Sequence, residues 1–311
     1  MKAIILKEPG SVDHLHIAEL PLPVIAAGEV LIKVKAISIN PVDVKTRIGK
    51  GQWARLKDEH PLILGWDISG IVTASASPLF KVDEEVFGMV NFPGHGRGYA
   101  EYVAAPAADL VLKPANISHE AAAAATLAAL TAWQGMTYYT PILPGQKVLV
   151  HAAAGGVGHY AVQLAKHWGA YVIGTSSAAN KDVVLGLGAD EHIDYKTTQL
   201  EEHPKDIDFI VDALGGDNID RSLLILKKGG TIVSLPSGLK EAVTEKAAAV
   251  GSHGYPVAVK SSGADMAKLS DLLAEGQLKS LVSKTFAFDE MRAAHLQIET
   301  GRTIGKVIIL V

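Results

Sequence analysis

The stretch KVLVHAAAGGVGHYAVQLAKHWGA, Lys147 to Ala170, constrains the fold more than any other part of the chain. Lys147–Val150 reads as a short buried strand. From Val157 the apolar residues Val157, Ala161, Leu164, Ala165 and Trp168 recur at spacings of three and four, the period of a helix. Small residues fill the junction, with Ala153, Gly155 and Gly158 on the three positions of a G-x-G-x-x-G fingerprint. In such a turn the first small residue permits the bend, the second lets the backbone approach a pyrophosphate, and the third seats the helix on the strand. The helix start then offers N–H groups and the positive end of its dipole to the phosphates. A strand-to-helix turn that binds nothing has the same pattern, so the strands farther along the chain decide between the two.

Strand-like segments recur at Tyr171–Thr175, His192–Tyr195, Asp208–Ala213 and Thr231–Leu235, separated by helical or loop stretches and ending in VDALGG and VSLPSG. This alternation predicts a doubly wound parallel sheet of the α/β class, with ligands outside the carboxyl ends of its strands. Dinucleotide binding is then the favoured reading. An NAD site usually places an acid ~20 residues past the glycines, on the ribose 2′-hydroxyl. Here the next strand ends GTSSAANK, and the first carboxylate is Asp182, inside the following helix. Ser176, Ser177, Asn180 and Lys181 supply hydroxyls, an amide and a cation, which suit a 2′-phosphate. The expected cofactor is therefore NADPH.

At 311 residues the chain suits two domains. Its net charge of -4 and scattered lysines and arginines leave no footprint for nucleic acid. The alanine-rich run from Ala121 to Trp133 is shorter than the ~20 apolar residues that span a bilayer. It reads as one buried helix beginning near Ser118, and no membrane partner is expected. MKAIILKEPG reads as a first strand ending at a Pro-Gly turn, not as a secretory signal. Cysteine is absent, which removes disulfides and thiolate metal ligands and makes a reducing cytoplasm the simplest location. Before about residue 115 the chain shows short strand-like runs, such as EVLIKVKAISI and ISGIVTAS, broken by turns. The closing GKVIILV needs a sheet to join, either the nucleotide sheet or the first domain.

AISINPVDVKTR, PLILGWDISGIV, GYAEYV, HAAAGGVGHYAVQLAK, VDALGG and AHLQIETGRTIGKVIIL occur in one order along the chain. In these segments the sequence resembles the zinc-independent quinone oxidoreductases of the medium-chain dehydrogenase/reductase superfamily. The resemblance implies a GroES-like β domain over residues 1–117, completed by 278–311, and a Rossmann domain over 118–277, with the cofactor in the cleft between them. It also implies a homodimer joined through the Rossmann sheet edge, for which GYPVAVK, Gly254 to Lys260, is the expected edge strand. The zinc-dependent alcohol dehydrogenases differ at the matching places. Asn40 stands where they have a cysteine ligand, and Gly65-Trp66-Asp67 replaces their G-H-E. Zinc prefers thiolate, imidazole or carboxylate ligands, so no metal is expected.

By the same resemblance, Asn40, Asp43 and Thr131 lie near the nicotinamide. Ala154, Gly155, Gly156, Val157 and Gly158 cradle the pyrophosphate, and Ser176, Ser177, Lys181 and Tyr195 hold the 2′-phosphate. Ala213, Leu214 and Leu235 line the ribose and nicotinamide. Read from the residues, Asn40 and Asp43 serve equally as caps of the turn and helix at Pro41. Trp53, Trp66, Phe92 and Tyr99 are candidates for an apolar, planar substrate wall, and His95 lies on a glycine-rich loop that resembles a lid. Without a Lewis acid, hydride transfer to a conjugated carbonyl or quinone is the less demanding reaction, since the charge delocalises. The expected activity is thus NADPH-dependent reduction of a quinone, enone or alkenal. An enoyl-thioester reductase and a non-catalytic NADPH-binding redox sensor are the alternatives.

Overall fold

The computed structural model describes residues 1–202, 205–236 and 242–311. Ser237 and Gly238, which end VSLPSG, lie outside them. Along the first part of the chain run β1 (Lys2–Leu6), β2 (Leu15–Glu19), β3 (Glu29–Ile39), α1 (Pro41–Arg47), α2 (Trp53–Leu56), β4 (Asp67–Ser75), β5 (Glu85–Met89), β6 (Tyr102–Pro106), β7 (Leu110–Leu112), α3 (His119–Ala124) and α4 (Leu127–Thr137). Next come β8 (Lys147–Val150), α5 (Gly158–His167), β9 (Tyr171–Ser176), α6 (Lys181–Gly186), β10 (Glu191–Asp194), β11 (Ile207–Asp212), α7 (Asp217–Ile225), β12 (Leu226–Ser234), α8 (Val243–Ala249) and β13 (His253–Pro256). The chain closes with α9 (Gly263–Ala274), β14 (Val282–Ala287), α10 (Met291–Glu299) and β15 (Lys306–Leu310).

Two compact units result, Met1–Leu130 with Val259–Val311, and Thr131–Ala258. Residues 118–130 and 259–277 therefore pack with the first unit, where the sequence reading grouped them with the second. The cause is close contact by small residues. Ala123 and Ala124 of α3 pack on Ala36 of β3 and Ile308 of β15. At the start of α9, a Cβ on Gly263 would fall 2.4 Å from the Ala108 carbonyl oxygen.

In the first unit one sheet runs β14-β15-β3-β4-β5-β7, with β6 also pairing β3. β15 lies antiparallel to β3, with Val307 opposite Ile39 and Leu310 opposite Ala36. The apolar tail thus closes the first unit, which settles the two sheets left open by its sequence. The alanine run forms two helices rather than one. Ser118 caps α3 through the Ala121 N–H at 3.2 Å. Thr126 Oγ1 turns back to the Ala123 carbonyl at 2.8 Å, and the Leu127 N–H is captured by Asp67 Oδ1 at 3.1 Å. A hydroxyl and a buried carboxylate therefore satisfy the groups exposed by the break.

The second unit holds a parallel sheet in the order β10-β9-β8-β11-β12-β13. The chain steps outward from β8 to β10, returns to β11 beside β8, and steps outward the other way. Ligands of such sheets bind at this reversal, outside the carboxyl ends of the strands. Its core gathers Leu149, Ile173, Ile210 and Ile232 of the strands with Ile219 and Leu223 of α7. The edge strand β13 is shorter than expected from GYPVAVK. It ends at Pro256, opposite Ser234, with one further bond from the Val257 N–H to the Ser234 carbonyl at 2.9 Å.

Gly65, just before β4, has φ +87°, and a Cβ there would meet Tyr99 Cδ1 at 2.2 Å. Gly65→Ala combines a clash in a packed core with a left-handed backbone. It is expected to cost roughly 2–4 kcal/mol of unfolding free energy. Urea unfolding measures this, and an unchanged midpoint would contradict the packing described.

Candidate cofactor-binding site

The carboxyl end of β8 opens into the small-residue turn. Ala152 has φ +49°, the Ala153 N–H donates to the Thr175 carbonyl at 2.9 Å, and the Gly155 N–H donates to the Ala152 carbonyl at 2.8 Å. A Cβ on Gly158 would lie 2.2 Å from the Ala152 oxygen and 2.8 Å from Ala153 Cα, so α5 seats on the strand end only with glycine there. Ala154 and Gly158 are buried, while Gly155, Gly156 and Val157 are half-buried. The turn therefore presents backbone at the first turn of a ten-residue helix, where N–H groups lack intrahelical acceptors.

Beneath the turn is a buried polar brace that the sequence reading missed. His151 Nε2 lies 2.9 Å from Ser222 Oγ of α7, and its Nδ1 lies 3.2 Å from Thr175 Oγ1 of β9. Burial pushes its imidazole down to about 4, with Asp212 opposing, so the ring is neutral near neutral pH. Asp212, at the end of β11, accepts the Gly215 N–H at 3.0 Å, Asn218 Nδ2 at 3.0 Å and the Ser234 hydroxyl at 2.7 Å. The signal was present in the sequence as lone polar residues ending apolar strands, in KVLVH and FIVD.

Across β9 and β10 the four candidate 2′-phosphate residues fall together. Ser176 is buried and donates its hydroxyl to the Ser177 carbonyl at 3.1 Å. The Tyr195 N–H donates to the Ser176 carbonyl at 3.3 Å, and the Tyr195 side chain is exposed. Lys181 is exposed at the first position of α6. The nearby Asp194 is turned to its own loop, accepting the Lys196 N–H at 3.1 Å and the Thr197 hydroxyl at 3.4 Å. His192, absent from the sequence expectations, brings Nε2 to 2.8 Å from Ser176 Oγ. On the other side of β8, Ala213 is half-buried, Leu214 is exposed, and Leu235 donates its N–H to the Asp212 carbonyl at 2.9 Å. Thr131 is buried in α4.

In the first unit the candidates divide. Asn40 and Asp43 are buried, joined by the Asn40 N–H on Asp43 Oδ2 at 2.5 Å, which caps α1. Asn40 Nδ2 donates to Asp67 Oδ2 at 2.7 Å, and the Lys306 ammonium donates to Asn40 Oδ1 and to the Ile39 carbonyl. Lys306 Nζ also lies 4.0 Å from Asp67 Oδ2. Trp66 and Tyr99 are fully buried, so neither ring offers a substrate wall. The Trp66 indole donates to the Gly94 carbonyl at 2.7 Å, and the Tyr99 hydroxyl lies 3.0 Å from His295 Nε2. Trp53 and Phe92 are half-exposed, Phe92 standing edge-on to Trp66 with ring centroids 5.2 Å apart. His95 ties its loop down through the Ile63 carbonyl at 2.9 Å and Glu59 at 3.0 Å, which argues against a lid.

The fold suggests a test for zinc at Asn40, Trp66 and Asp67. An amide bonded to an ammonium, an indole donating to a carbonyl and one paired carboxylate do not fit a catalytic zinc. Among the described residues no group of three or more His, Cys, Asp or Glu is placed to hold a metal ion.

Burial raises the Asp43 carboxyl to about 8, with Asp67 adding to the rise and the Asn40 N–H opposing it. Between its unfolded value near 3.8 and about 8, the unfolded chain ionises Asp43 while the folded chain keeps it neutral. This group's contribution to stability is thus lost as pH rises through that window. Asp43→Asn keeps an acceptor for the cap and removes the titration. Its stability relative to the parent is expected to improve by up to ~1.4 kcal/mol per pH unit across the window. Denaturant unfolding from mildly acidic to alkaline pH measures this, and a constant difference would remove the assignment.

Residues 26–115 match the model for the alcohol dehydrogenase GroES-like domain, and residues 187–309 match that for a zinc-binding dehydrogenase. The 2-methylene-furan-3-one reductase of Solanum lycopersicum is 34% identical over 99% of this chain and 79% of its own length. The chloroplastic NADPH-dependent alkenal/one oxidoreductase of Arabidopsis thaliana is 34% identical with the same two coverages, 99% and 79%. The solved quinone oxidoreductase from Coxiella burnetii superposes with a TM-score of 0.93 at 35% identity, over 100% of this chain and 99% of that one. On a shared two-unit fold and end-to-end likeness of this degree, the chain belongs to the quinone oxidoreductase family of the medium-chain dehydrogenase/reductase superfamily.

Proposed function

We propose that the protein reduces a quinone or an α,β-unsaturated carbonyl with NADPH. The observation that carries the choice of cofactor is the end of β9. Two serines, a lysine and an exposed tyrosine meet there, and the carboxylate of Asp194 on the neighbouring strand is turned to its own loop. That donor set suits a phosphate dianion better than a ribose 2′-hydroxyl. The glycine turn fits the rest of the dinucleotide, since Gly155, Gly156 and Gly158 offer backbone without side chains. When bound, NADPH supplies the hydride.

The chain's own contribution is to bind and orient. Gly155, Gly156, Val157 and Gly158 receive the pyrophosphate, with Ala154 packed behind them. Ala213, Leu214, Leu235 and Thr131 flank the ribose and nicotinamide. Good positioning is worth ~7–11 kcal/mol in favourable cases, enough to carry much of a hydride transfer. Asn40 and Asp43 act through the backbone they cap, because their side chains are engaged inside the first unit. Trp53 and Phe92 remain as candidates for contact with a planar acceptor. Tyr99 is unsuited to deliver the proton that must follow the hydride, since its hydroxyl is buried against His295 and burial holds its acidity far below that of a free phenol. Solvent is the proposed proton source. The conjugated acceptor is supported by the names of the relatives, which include an alkenal/one oxidoreductase and a quinone oxidoreductase. A cysteine-free chain suits a reducing compartment, and we place the protein in the cytoplasm, although two relatives are named for the chloroplast and mitochondrion. No helix among the described residues is long and apolar enough to cross a membrane.

The decisive experiment follows NADPH consumption by the purified protein with quinones and enones, then identifies the products. A saturated ketone with its carbonyl intact assigns enone chemistry, and a hydroquinone assigns quinone chemistry. Tight NADPH binding without turnover on either class would move the reading to a redox sensor. Lys181→Ala is expected to weaken NADPH binding about tenfold and to leave NADH nearly unaffected. Equal losses for both cofactors would sink the phosphate assignment. A homodimer along β13 is proposed with the same fold, and sedimentation at the mass of a single chain would exclude it.

A further inference from the structure

We propose that His192 is a protonatable reader of the cofactor's 2′-phosphate, so that NADPH binding draws a proton onto its imidazole and the preference for NADPH over NADH grows as pH falls. This rests on the reading of Ser176, Ser177, Lys181 and Tyr195 as the phosphate site, and adds to it a residue with a second property.

The geometry begins with the sheet register. On the edge strand β10, His192 lies opposite Gly174 and Asp194 lies opposite Ser176. From there the His192 ring reaches Ser176, with Nε2 at 2.8 Å from Oγ. The Ser176 hydroxyl has one hydrogen, and it is directed to the Ser177 carbonyl at 3.1 Å. Ser176 Oγ must then accept from His192, which places the ring hydrogen on Nε2 and leaves Nδ1 as the nitrogen that can take a proton. The ring is only half-buried, so solvent can supply that proton.

The charges facing the ring are Asp194, which favours the imidazolium, and Lys181, which opposes it. Burial is the largest influence and, with Lys181, holds the imidazole below its ordinary value of 6.5, so it is neutral in the free protein near neutral pH. A phosphate dianion seated on Ser177 and Lys181, beside Ser176, reverses this balance, because it offsets the lysine and adds negative charge beside the ring. One proton then passes from solvent to Nδ1 as the phosphate arrives. NADH lacks the phosphate and has no such effect.

Titration calorimetry near pH 7, in buffers of different ionisation enthalpy, counts the protons. The 2′-phosphate itself titrates near pH ~6 and releases protons on binding to cations, so the reading is the difference between the parent and His192→Gln. NADPH is expected to bind with more proton uptake to the parent. Its affinity advantage over His192→Gln should be about fivefold near pH ~6 and vanish near pH ~8. His192→Lys carries a permanent charge, and should bind NADPH tightly across this range without proton uptake. Equal proton counts and equal pH slopes in the parent and His192→Gln would overturn the proposal. If Lys181→Ala selectively weakens NADPH while His192→Gln matches the parent, this proposal alone fails. If Lys181→Ala weakens NADPH and NADH alike, the phosphate site itself falls and His192 with it.

Discussion

The buried ammonium of Lys306 ties together distant parts of the first unit. Lys306 is 3% exposed, and taking its charge out of water is costly unless fixed oxygens replace the hydration it loses. Those oxygens come from separate parts of the chain: the Ile39 carbonyl at the end of β3, Asn40 at the cap of α1, and Asp67 at the start of β4. The last strand, the first long strand and the first helix are thereby required to meet at one point. Asp67 serves twice, since its second oxygen caps the start of α4 through Leu127. Burial pushes the Asp67 carboxyl up and the Lys306 ammonium down, while their mutual attraction opposes both shifts. Removing one partner would leave the other buried without compensation, which is commonly worth several kcal/mol.

The second unit depends on a different constraint, the close approach of α5 to the end of β8. The distance from a notional Cβ at Gly158 to the Ala152 oxygen leaves no room for any side chain. That approach turns backbone N–H groups outward at the sheet's reversal, where an anion is favoured. Underneath, His151, Thr175, Ser222 and the Asp212 cluster satisfy one another's polar atoms. A fully bonded network of this kind holds strand ends in register, whereas an incomplete one would destabilise them.

Much of this was legible in the residues. The strand Lys147–Val150 and the helix after it stand where the periodicity placed them, because a parallel sheet buries both faces and its strands read as short apolar runs. The residues proposed for the 2′-phosphate were visible through an absence, a carboxylate missing after the second strand. The substrate wall was not legible in this way. Trp66 and Tyr99 sit in loop-like sequence yet are core side chains, since glycines at 65, 96 and 98 let the backbone fold tightly around them. The helix break after Ala124 was equally hidden, because the carboxylate that captures the Leu127 N–H lies sixty residues earlier in the chain.

The sequence by itself determined the element types of the second unit, its small-residue turn and the chemical character of the residues beyond β9. Each of these is a local property, set by periodicity, by side-chain volume or by the presence of a charge. Only the tertiary structure decided where the last strand goes, which polar groups are buried together and which aromatics are core. It also decided that a histidine on the neighbouring strand stands beside Ser176. Those outcomes depend on pairings between distant segments, and a pairing is fixed by the need to satisfy buried charges and carbonyls that no single segment can satisfy alone.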